Sequence, residues 1–217
     1  MLAVADVLTR TDDLLGDVSR IRWTAAERIR WMNEAMGAIL TRRPQAFSIT
    51  KTIALAAGSL QTIDGEMLLD VVRNIGAAPD NKPGKAIRRT DRQLLDDSAP
   101  DWHTTKPAAT IRHYVFDDRA SKQFYCYPPA LAGTRVETLQ AELPAAIAET
   151  DTTGTLGIGR EYLEAVVNFV CYRCHTKDSE YSATALAVAF YQAFEAALGI
   201  KNQTENAASP NQPGNSV

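Results

Sequence analysis

The chain has 217 residues, of which 45% are hydrophobic and 23% are charged, a composition typical of ordinary globular proteins. Its net charge of -3 argues against a general nucleic-acid binder, because such proteins present basic surfaces to the phosphate backbone. No apolar run reaches the roughly 18 residues of a membrane span, the N-terminus lacks a basic leader, and the three cysteines predict reduced thiols in a cytoplasm-like compartment.

The first 45 residues predict two amphipathic helices. The first, which we expect to loosen near Gly16, carries apolar residues at helical spacing: Val4, Val7, Leu8, Leu14, Leu15 and Val18. The second begins at Thr24-Ala-Ala-Glu27, a capping box in which each side chain binds an otherwise unpaired backbone N–H of the first turn. Arg28 is predicted to lie on its polar side, away from the apolar face of Ile29, Met32, Met36, Ile39 and Leu40.

After Pro44 the apolar residues follow the two-residue period of a strand instead of the helical period of about 3.6 residues. Strands are predicted over residues 47–55, 60–63, 69–75, 86–90, 110–116, 122–127 and 134–141, with a short helix over 91–98. Asp117–Ser121 is expected to form a hairpin loop, and Pro128-Pro129 to terminate the strand that follows it. Residues 144–159 are expected to return the chain as a flexible loop.

Residues 161–199 carry the longest helical pattern of the chain, which is interrupted at Asp178–Ser182. The first half presents an apolar stripe of Leu163, Val166, Val167, Val170 and Cys174. The second half presents a stripe of Leu186, Ala189, Phe190, Ala193, Phe194, Ala197 and Leu198. Because each half is one-sided, we predict an antiparallel helical hairpin in which the two stripes cover each other.

These elements predict an α+β fold, in which a helical bundle is built from N- and C-terminal helices and a β-rich domain is inserted between them. The bundle is expected to comprise residues 1–45 and 158–200. The inserted domain, with its return loop, is expected to span 46–157. Residues 201–217 are polar and almost free of apolar side chains, so we predict a disordered C-terminal tail.

The string Cys171-Tyr-Arg-Cys174-His175 has the spacing of a c-type haem attachment site. Cys174 lies in phase with the apolar stripe, however, and a reactive CxxC pair belongs at a helix N-terminus rather than inside a helix. As a zinc site the string lacks a second Cys/His pair. Packing is therefore the favoured interpretation, and a c-type haem or CxxC redox protein that uses Cys171, Cys174 and His175 is the alternative.

The remaining candidate residues predict no active site. His103 and His113 have no nucleophile-type turn beside them, and the Gly154–Gly159 segment lacks the pattern of a phosphate-binding loop. Adjacent carboxylates point apart, so three such pairs are expected to be solvated caps and turns: Asp12-Asp13, Asp96-Asp97 and Asp117-Asp118. We therefore expect no enzyme, no catalytic residue, no cofactor and no metal site.

Six short sequence segments form a further pattern, which extends over about residues 20 to 199. It consists of Ile53–Ile63, Leu68–Asn74, Leu94–Trp102, Tyr114–Asp118, Phe124–Pro129 and Tyr172–Asp178. In their order and spacing these segments resemble the tail-adaptor proteins of tailed bacteriophages. That family includes the head–tail connector ring of short-tailed phages, the tail tubular protein A type.

The resemblance implies a structural virion protein of the tail or neck, present in the host cytoplasm during assembly. Such an adaptor forms a homo-oligomeric ring, usually a dodecamer, that joins the portal protein to the tail nozzle or tail fibre proteins. DNA passes through the ring without sequence-specific binding, and no membrane partner is expected. The family's C-terminal segment commonly reaches into the portal, which here implies contacts from Lys201, Asn202, Gln203, Pro210, Pro213 and Val217.

Overall fold

The structure is a computed structural model that describes residues 1–177 and 182–208. The described residues form two compact units, a helical unit of residues 1–46 and 144–208 and a β unit from Phe47 to Leu143. The predicted α+β class is confirmed. The boundary after Leu143 lies earlier than residue 157, where the sequence placed the end of the β-rich domain.

The described part of the chain contains five α-helices and eight strands. The helices are α1 (Val4–Leu15), α2 (Ala25–Arg42), α3 (Arg92–Ser98), α4 (Leu163–Thr176) and α5 (Thr184–Ala208). The strands are β1 (Ser48–Ala54), β2 (Gly58–Thr62), β3 (Met67–Ile75), β4 (Pro83–Ala86), β5 (Arg88–Arg89), β6 (His113–Phe116), β7 (Gln123–Ala130) and β8 (Arg135–Ala141).

The helix boundaries in the first 45 residues follow local sequence signals. The predicted capping box of α2 is confirmed, since the Thr24 hydroxyl accepts from the Glu27 N–H and the Glu27 carboxylate accepts from the Thr24 N–H at 3.0 Å. Helix α1 ends at Gly16, whose backbone adopts the left-handed conformation at φ 61°. Glycine tolerates that conformation without a steric penalty, which explains why α1 stops there.

Helices α4 and α5 form the predicted antiparallel hairpin. Three aromatic ring pairs join them. Residue numbers rise along α4 and fall along α5 from one pair to the next: Phe169–Phe194 at 5.3 Å, Tyr172–Tyr191 at 5.1 Å and His175–Phe190 at 5.7 Å between centroids. This order requires the two helices to run in opposite directions. Of the predicted polar break at 178–182, residues 178–181 lie outside the described residues.

Helix α5 continues through Ala208, whereas the sequence predicted a disordered tail from Lys201. Residues 201–208 contain neither Pro nor Gly, so no residue in this stretch interrupts helical hydrogen bonding before Pro210. The remainder of the predicted tail, residues 209–217, lies outside the described residues.

The return segment belongs to the helical unit instead of forming the expected flexible loop. Leu2 and the 156–158 stretch exchange backbone hydrogen bonds of 2.8 Å, from Leu2 N–H to the Ile158 carbonyl and from Leu156 N–H to the Leu2 carbonyl. Leu156 and Ile158 are buried. The Asn33 side-chain amide also binds both the N–H and the carbonyl of Ile147. These bonds to α2 and the N-terminus fix the segment in place.

The β unit is built from two four-stranded sheets in its described residues. Their strand orders are β1-β8-β3-β4 and β2-β7-β6-β5. The predicted hairpin around Asp117–Ser121 is confirmed, because β6 and β7 pair antiparallel on either side of it. The core draws apolar side chains from both sheets and from the residues that directly follow their strands, among them Leu55, Ile63, Leu68, Val71, Phe124 and Val136.

The prediction that Pro128-Pro129 terminates a strand is wrong, because β7 continues through Ala130. Its neighbour β2 changes register between Gly58 and Leu60, opposite this part of β7. A proline supplies no N–H to a ladder, so it is tolerated where the regular hydrogen-bond pattern is broken.

Candidate interaction surfaces

The CxxCH string is a packing element of α4. Cys171 and Cys174 are both fully buried, which raises the pKa of the Cys171 thiol to about 12 and that of Cys174 well above its ordinary value. The His175 ring stacks on Phe190 and meets Trp23 edge-on at 5.6 Å. Thiols that are buried and protonated at neutral pH are poor nucleophiles and poor metal ligands. The haem or redox alternative is therefore not supported by this geometry.

A serine–histidine contact in the β unit was not expected from the sequence. Ser59 Oγ lies 2.9 Å from His103 Nδ1, and the His103 ring stacks on Trp102 at 3.6 Å. Forty-four positions separate the two residues, so no local motif could indicate the pair. No described carboxylate hydrogen-bonds the imidazole, as the orienting acid of a hydrolytic triad would. The contact is therefore a surface hydrogen bond beside an aromatic stack.

Arg28 is fully buried, contrary to its predicted place on the polar side of α2. Its guanidinium binds Asp12 Oδ1 at 2.5 Å, Asp17 Oδ2 at 3.0 Å and Thr11 Oγ1 at 3.1 Å. Asp12 is buried with it and also pairs with Arg20 at 2.9 Å, so the prediction of a solvated Asp12 is wrong. A buried arginine needs such partners, because an unpaired charge inside a protein is strongly destabilising.

Asp17 organises the loop between α1 and α2. Its carboxylate accepts backbone N–H groups from Ile21 and Trp23, each at 3.1 Å, and a longer one from Arg22. Burial alone would raise the pKa of Asp17, but these N–H donors and the Arg28 charge hold that pKa below its ordinary value. The loop is thus held by an ionised carboxylate that is itself buried.

Three exposed apolar residues lie at the end of α1 and in this loop, and we call them the loop patch: Leu14, Val18 and Ile21. Their exposed fractions are 54%, 76% and 80%. The sequence predicted Leu14 and Val18 on the buried stripe of the first helix. Val18 instead lies beyond the end of α1 at Gly16, so the helical period that predicted its burial no longer applies.

A second exposed surface lies on α5. Phe194 and Leu198 are buried as predicted, but Leu186 is 49% exposed and Ala189 is also exposed, so their predicted burial is wrong. Helix α4 has 14 residues and covers one side of α5, which leaves another side uncovered. We define this α5 face by its exposed residues Ala185, Leu186, Val188, Ala189, Gln192, Ala196 and Gly199.

The α5 face carries no charge. Within described residues 184–199, the one charged side chain is Glu195, which is partly buried and binds Arg42 at 2.7 Å. Leu186 and Val188 are 49% and 53% exposed and lie at the two edges of this face, so large aliphatic side chains flank the small residues at its centre. An uncharged, partly aliphatic helix surface of this kind is suited to packing against another protein surface.

Three or more His, Cys, Asp or Glu side chains do not converge anywhere in 1–177 and 182–208 in a way that could hold a metal ion. No described helix combines the length and the hydropathy of a bilayer span.

The predicted portal-binding residues fall at the end of the described chain. The backbone of Lys201, Asn202 and Gln203 belongs to the last turns of α5. Pro210, Pro213 and Val217 lie outside the described residues. The structure therefore gives these six positions no common surface, and their role stays a prediction.

The family model described as SU10 adaptor protein matches residues 2–214 of the chain. No curated protein matches the chain. The family match covers both units and confirms the resemblance to phage adaptors. The narrower resemblance to the tail tubular protein A type stays a prediction.

Proposed function

Because the chain belongs to the SU10 adaptor protein family, we propose that it forms a closed ring that joins the portal to the tail nozzle and lets DNA pass. Family membership implies a structural role as a phage adaptor, assembly with other phage head and tail proteins, and a location at the virion neck. The ring, its dodecameric copy number, the portal contact and the DNA channel go beyond the family match and constitute the proposal.

The observation that carries the proposal is the uncharged α5 face. Leu186 and Val188 lie about half exposed on a helix whose opposite side is already packed on α4. Transfer of such side chains from water to an interface is favourable, at about 25 cal/mol per Å² of apolar surface. A face without charges also avoids the desolvation cost that opposes burial. It is therefore suited to contact a neighbouring subunit.

A cyclic ring needs two different contact surfaces on each subunit, because every copy meets one neighbour on each side. The helical unit offers two such surfaces, the α5 face and the loop patch. Both are uncharged and exposed, and they belong to different elements of the same unit. We propose that the α5 face of one copy packs on the loop patch of the next.

The C-terminal segment is proposed to contact the portal. The backbone of helix α5 continues ten residues beyond the buried Leu198 and ends at Ala208. The end of such a long helix is a suitable element to present to a partner. We place the portal contacts at Lys201, Asn202, Gln203, Pro210, Pro213 and Val217.

The proposed DNA passage is consistent with the charge of the chain. DNA-binding proteins gain most of their non-specific affinity from Lys and Arg contacts to phosphate. A chain with a net charge of -3 has no excess of such residues. A ring of these subunits would allow phosphate to pass without retaining it.

The test is native mass spectrometry and negative-stain electron microscopy of the purified chain, alone and with the portal. We expect ring-shaped oligomers. The double variant Leu186→Gln/Val188→Gln should keep the fold, because both side chains are about half exposed, and should lose ring formation. Leu94→Gln, a similarly exposed leucine of the β unit, is the matched control and should assemble normally.

Persistent monomers in the presence of portal would contradict the ring proposal. If the double variant forms rings equally well, the α5 face is not part of the subunit interface. Deletion of residues 209–217 addresses the portal contact separately. We expect the truncated chain to fold and to form rings but to bind portal more weakly, as measured by co-sedimentation.

A further inference from the structure

The β unit contains a concave, positively charged pocket of about 570 Å³. Its cationic side chains are Lys85, Arg88 and Arg112, and Thr110, His113 and Pro128 contribute to its wall. No Asp or Glu lines this pocket in the described β unit. We propose that it binds a carboxylate-rich segment of a partner protein in the assembled particle. This inference rests on the proposed adaptor function.

The pocket arises where the chain crosses from one sheet to the other. Strand β4 pairs with β3 in the first sheet, and β5, two residues later, pairs parallel with β6 in the second. The Arg88 N–H donates to the Arg112 carbonyl at 3.1 Å, and Arg88 lies opposite His113 in the strand register. Arg88 of β5 and Arg112, which directly precedes β6, are thereby brought side by side although they are far apart in sequence.

A buried amide holds the two walls together. Asn74 Nδ2 donates to the Lys85 and Ile111 carbonyls, each at 2.8 Å, and Asn74 Oδ1 accepts from the Ile111 N–H at 2.8 Å. Asn74 is itself buried. Because one side chain fixes the backbone beside Lys85 and the backbone beside Arg112, the cationic side chains extend from a rigid frame. Such preorganisation reduces the entropy lost when a ligand binds.

The cations of the pocket have no ion-pair partner among the described residues. Lys85, Arg88 and Arg112 form none of the salt bridges found in the β unit. Other cations of this unit are paired, for example Arg73 with Glu137 at 3.0 Å and Lys122 with Glu66 at 2.9 Å. Unpaired like charges that line one pocket repel one another, and an anionic ligand would reduce that repulsion. The two arginines offer the forked donors that bind carboxylates in bidentate geometry.

The shape of the site favours a protein carboxylate over duplex DNA. DNA affinity rests on many phosphate contacts along a row of cations. This site is a single concavity whose remaining wall includes Ala108, Ala109 and Pro128, which offer no charge. An adaptor also assembles with other head and tail proteins, so a protein partner is available. One or two acidic side chains of an exposed segment fit this chemistry.

The test uses the full-length chain and a fluorescently labelled oligoglutamate peptide, followed by fluorescence anisotropy. We expect saturable binding that weakens as salt is added. Arg88→Gln/Arg112→Gln should lower the affinity by at least about tenfold, the equivalent of one lost charge-assisted hydrogen bond. Arg119→Gln removes an exposed arginine outside the pocket and should change the affinity less than about twofold.

An unchanged affinity in the double variant would overturn the proposal. Tighter binding of a short DNA duplex, lost in the same variant, would also overturn it by making DNA the occupant. If the double variant folds poorly, Lys85→Gln is the alternative variant. It should also lower the affinity for the peptide. Ring formation is measured separately. Rings that form without peptide binding would refute the pocket proposal alone. Peptide binding without rings would refute the ring proposal alone.

Discussion

The two units of this protein distribute charge in opposite ways. Among the described residues, every buried charged side chain lies in the helical unit: Asp12, Asp17, Arg28 and Arg43. The buried polar residues of the β unit are all uncharged: Gln61, Asn74, Thr134, Thr138 and Gln140. On the surface, the helical unit presents the α5 face and the loop patch, whereas the β unit presents a pocket of unpaired cations.

The contrast follows from how each unit supplies hydrogen-bond partners to its backbone N–H and carbonyl groups. In the β unit, sheet ladders pair most N–H and carbonyl groups, and the few that remain need a neutral amide such as Asn74. In the helical unit, the loop after α1 leaves several N–H groups without a ladder. Asp17 accepts them, and its buried charge then requires Arg28. A loop whose N–H groups are bound by a carboxylate therefore brings buried charges into the core, whereas a sheet that pairs its own backbone groups does not.

The largest expected effect that would test this contrast comes from Arg28→Met. The variant leaves Asp17 buried without its cation, and we expect the free energy of unfolding to fall by about 3–5 kcal/mol. Arg30→Met is the control, because the Arg30–Glu149 pair is exposed to water and should contribute little. Urea unfolding followed by circular dichroism measures both. Equal losses in the two variants would show that burial does not distinguish them.

The corresponding test in the β unit is Asn74→Ala. This change leaves the Lys85 and Ile111 backbone groups without their buried partner and should lower the free energy of unfolding by about 1–3 kcal/mol. A neutral amide is therefore expected to matter less than the charged arginine of the helical unit. Gln93→Ala, which removes an exposed side-chain amide from α3 of the same unit, is the control. A loss in Asn74→Ala that exceeds the Arg28→Met loss would reverse the proposed ranking.

A smaller effect is expected at the start of α2. Thr24→Ala removes the capping hydroxyl and should cost about 1 kcal/mol in urea unfolding. Thr41→Ala is a matched control, because the Thr41 hydroxyl binds the Gly37 carbonyl within the same helix and caps no N–H group. Alanine is also the better helix former there, so no loss is expected. The capping interpretation fails if both variants lose the same stability.

The smallest expected effect is a pH dependence that belongs to the helical unit. Because the folded-state pKa of Asp17 is lower than its ordinary value of about 3.8, its ionised form stabilises the fold at higher pH. This contribution is fully present above that ordinary value and is lost as the pH falls through the folded-state pKa. Asp17→Asn should therefore be less stable than the parent chain at pH 7, and the difference should shrink below about pH 4. A constant difference in urea midpoint across this range would contradict the assignment.

Much of the architecture could be predicted from the sequence because its signals are local. The Thr24–Glu27 box fixed the start of α2, and the change of apolar period after Pro44 marked the entry into the β unit. The hairpin around Asp117–Ser121 and the antiparallel pair of α4 and α5 followed from turn chemistry and one-sided stripes. The order of short segments also indicated the adaptor family, which the match over residues 2–214 confirms.

The interaction surfaces could be decided only by the tertiary structure. A helical stripe indicates that one side of α5 is apolar, but only the position of α4 determines that Phe194 is buried while Leu186 is exposed. Arg28 looked solvated because its partners lie 11 to 17 positions away, on the other side of a loop. Lys85, Arg88 and Arg112 form a pocket only because the chain changes sheets between β4 and β5. Periodicity and capping depend on neighbours in sequence, whereas burial and charge pairing depend on neighbours in space.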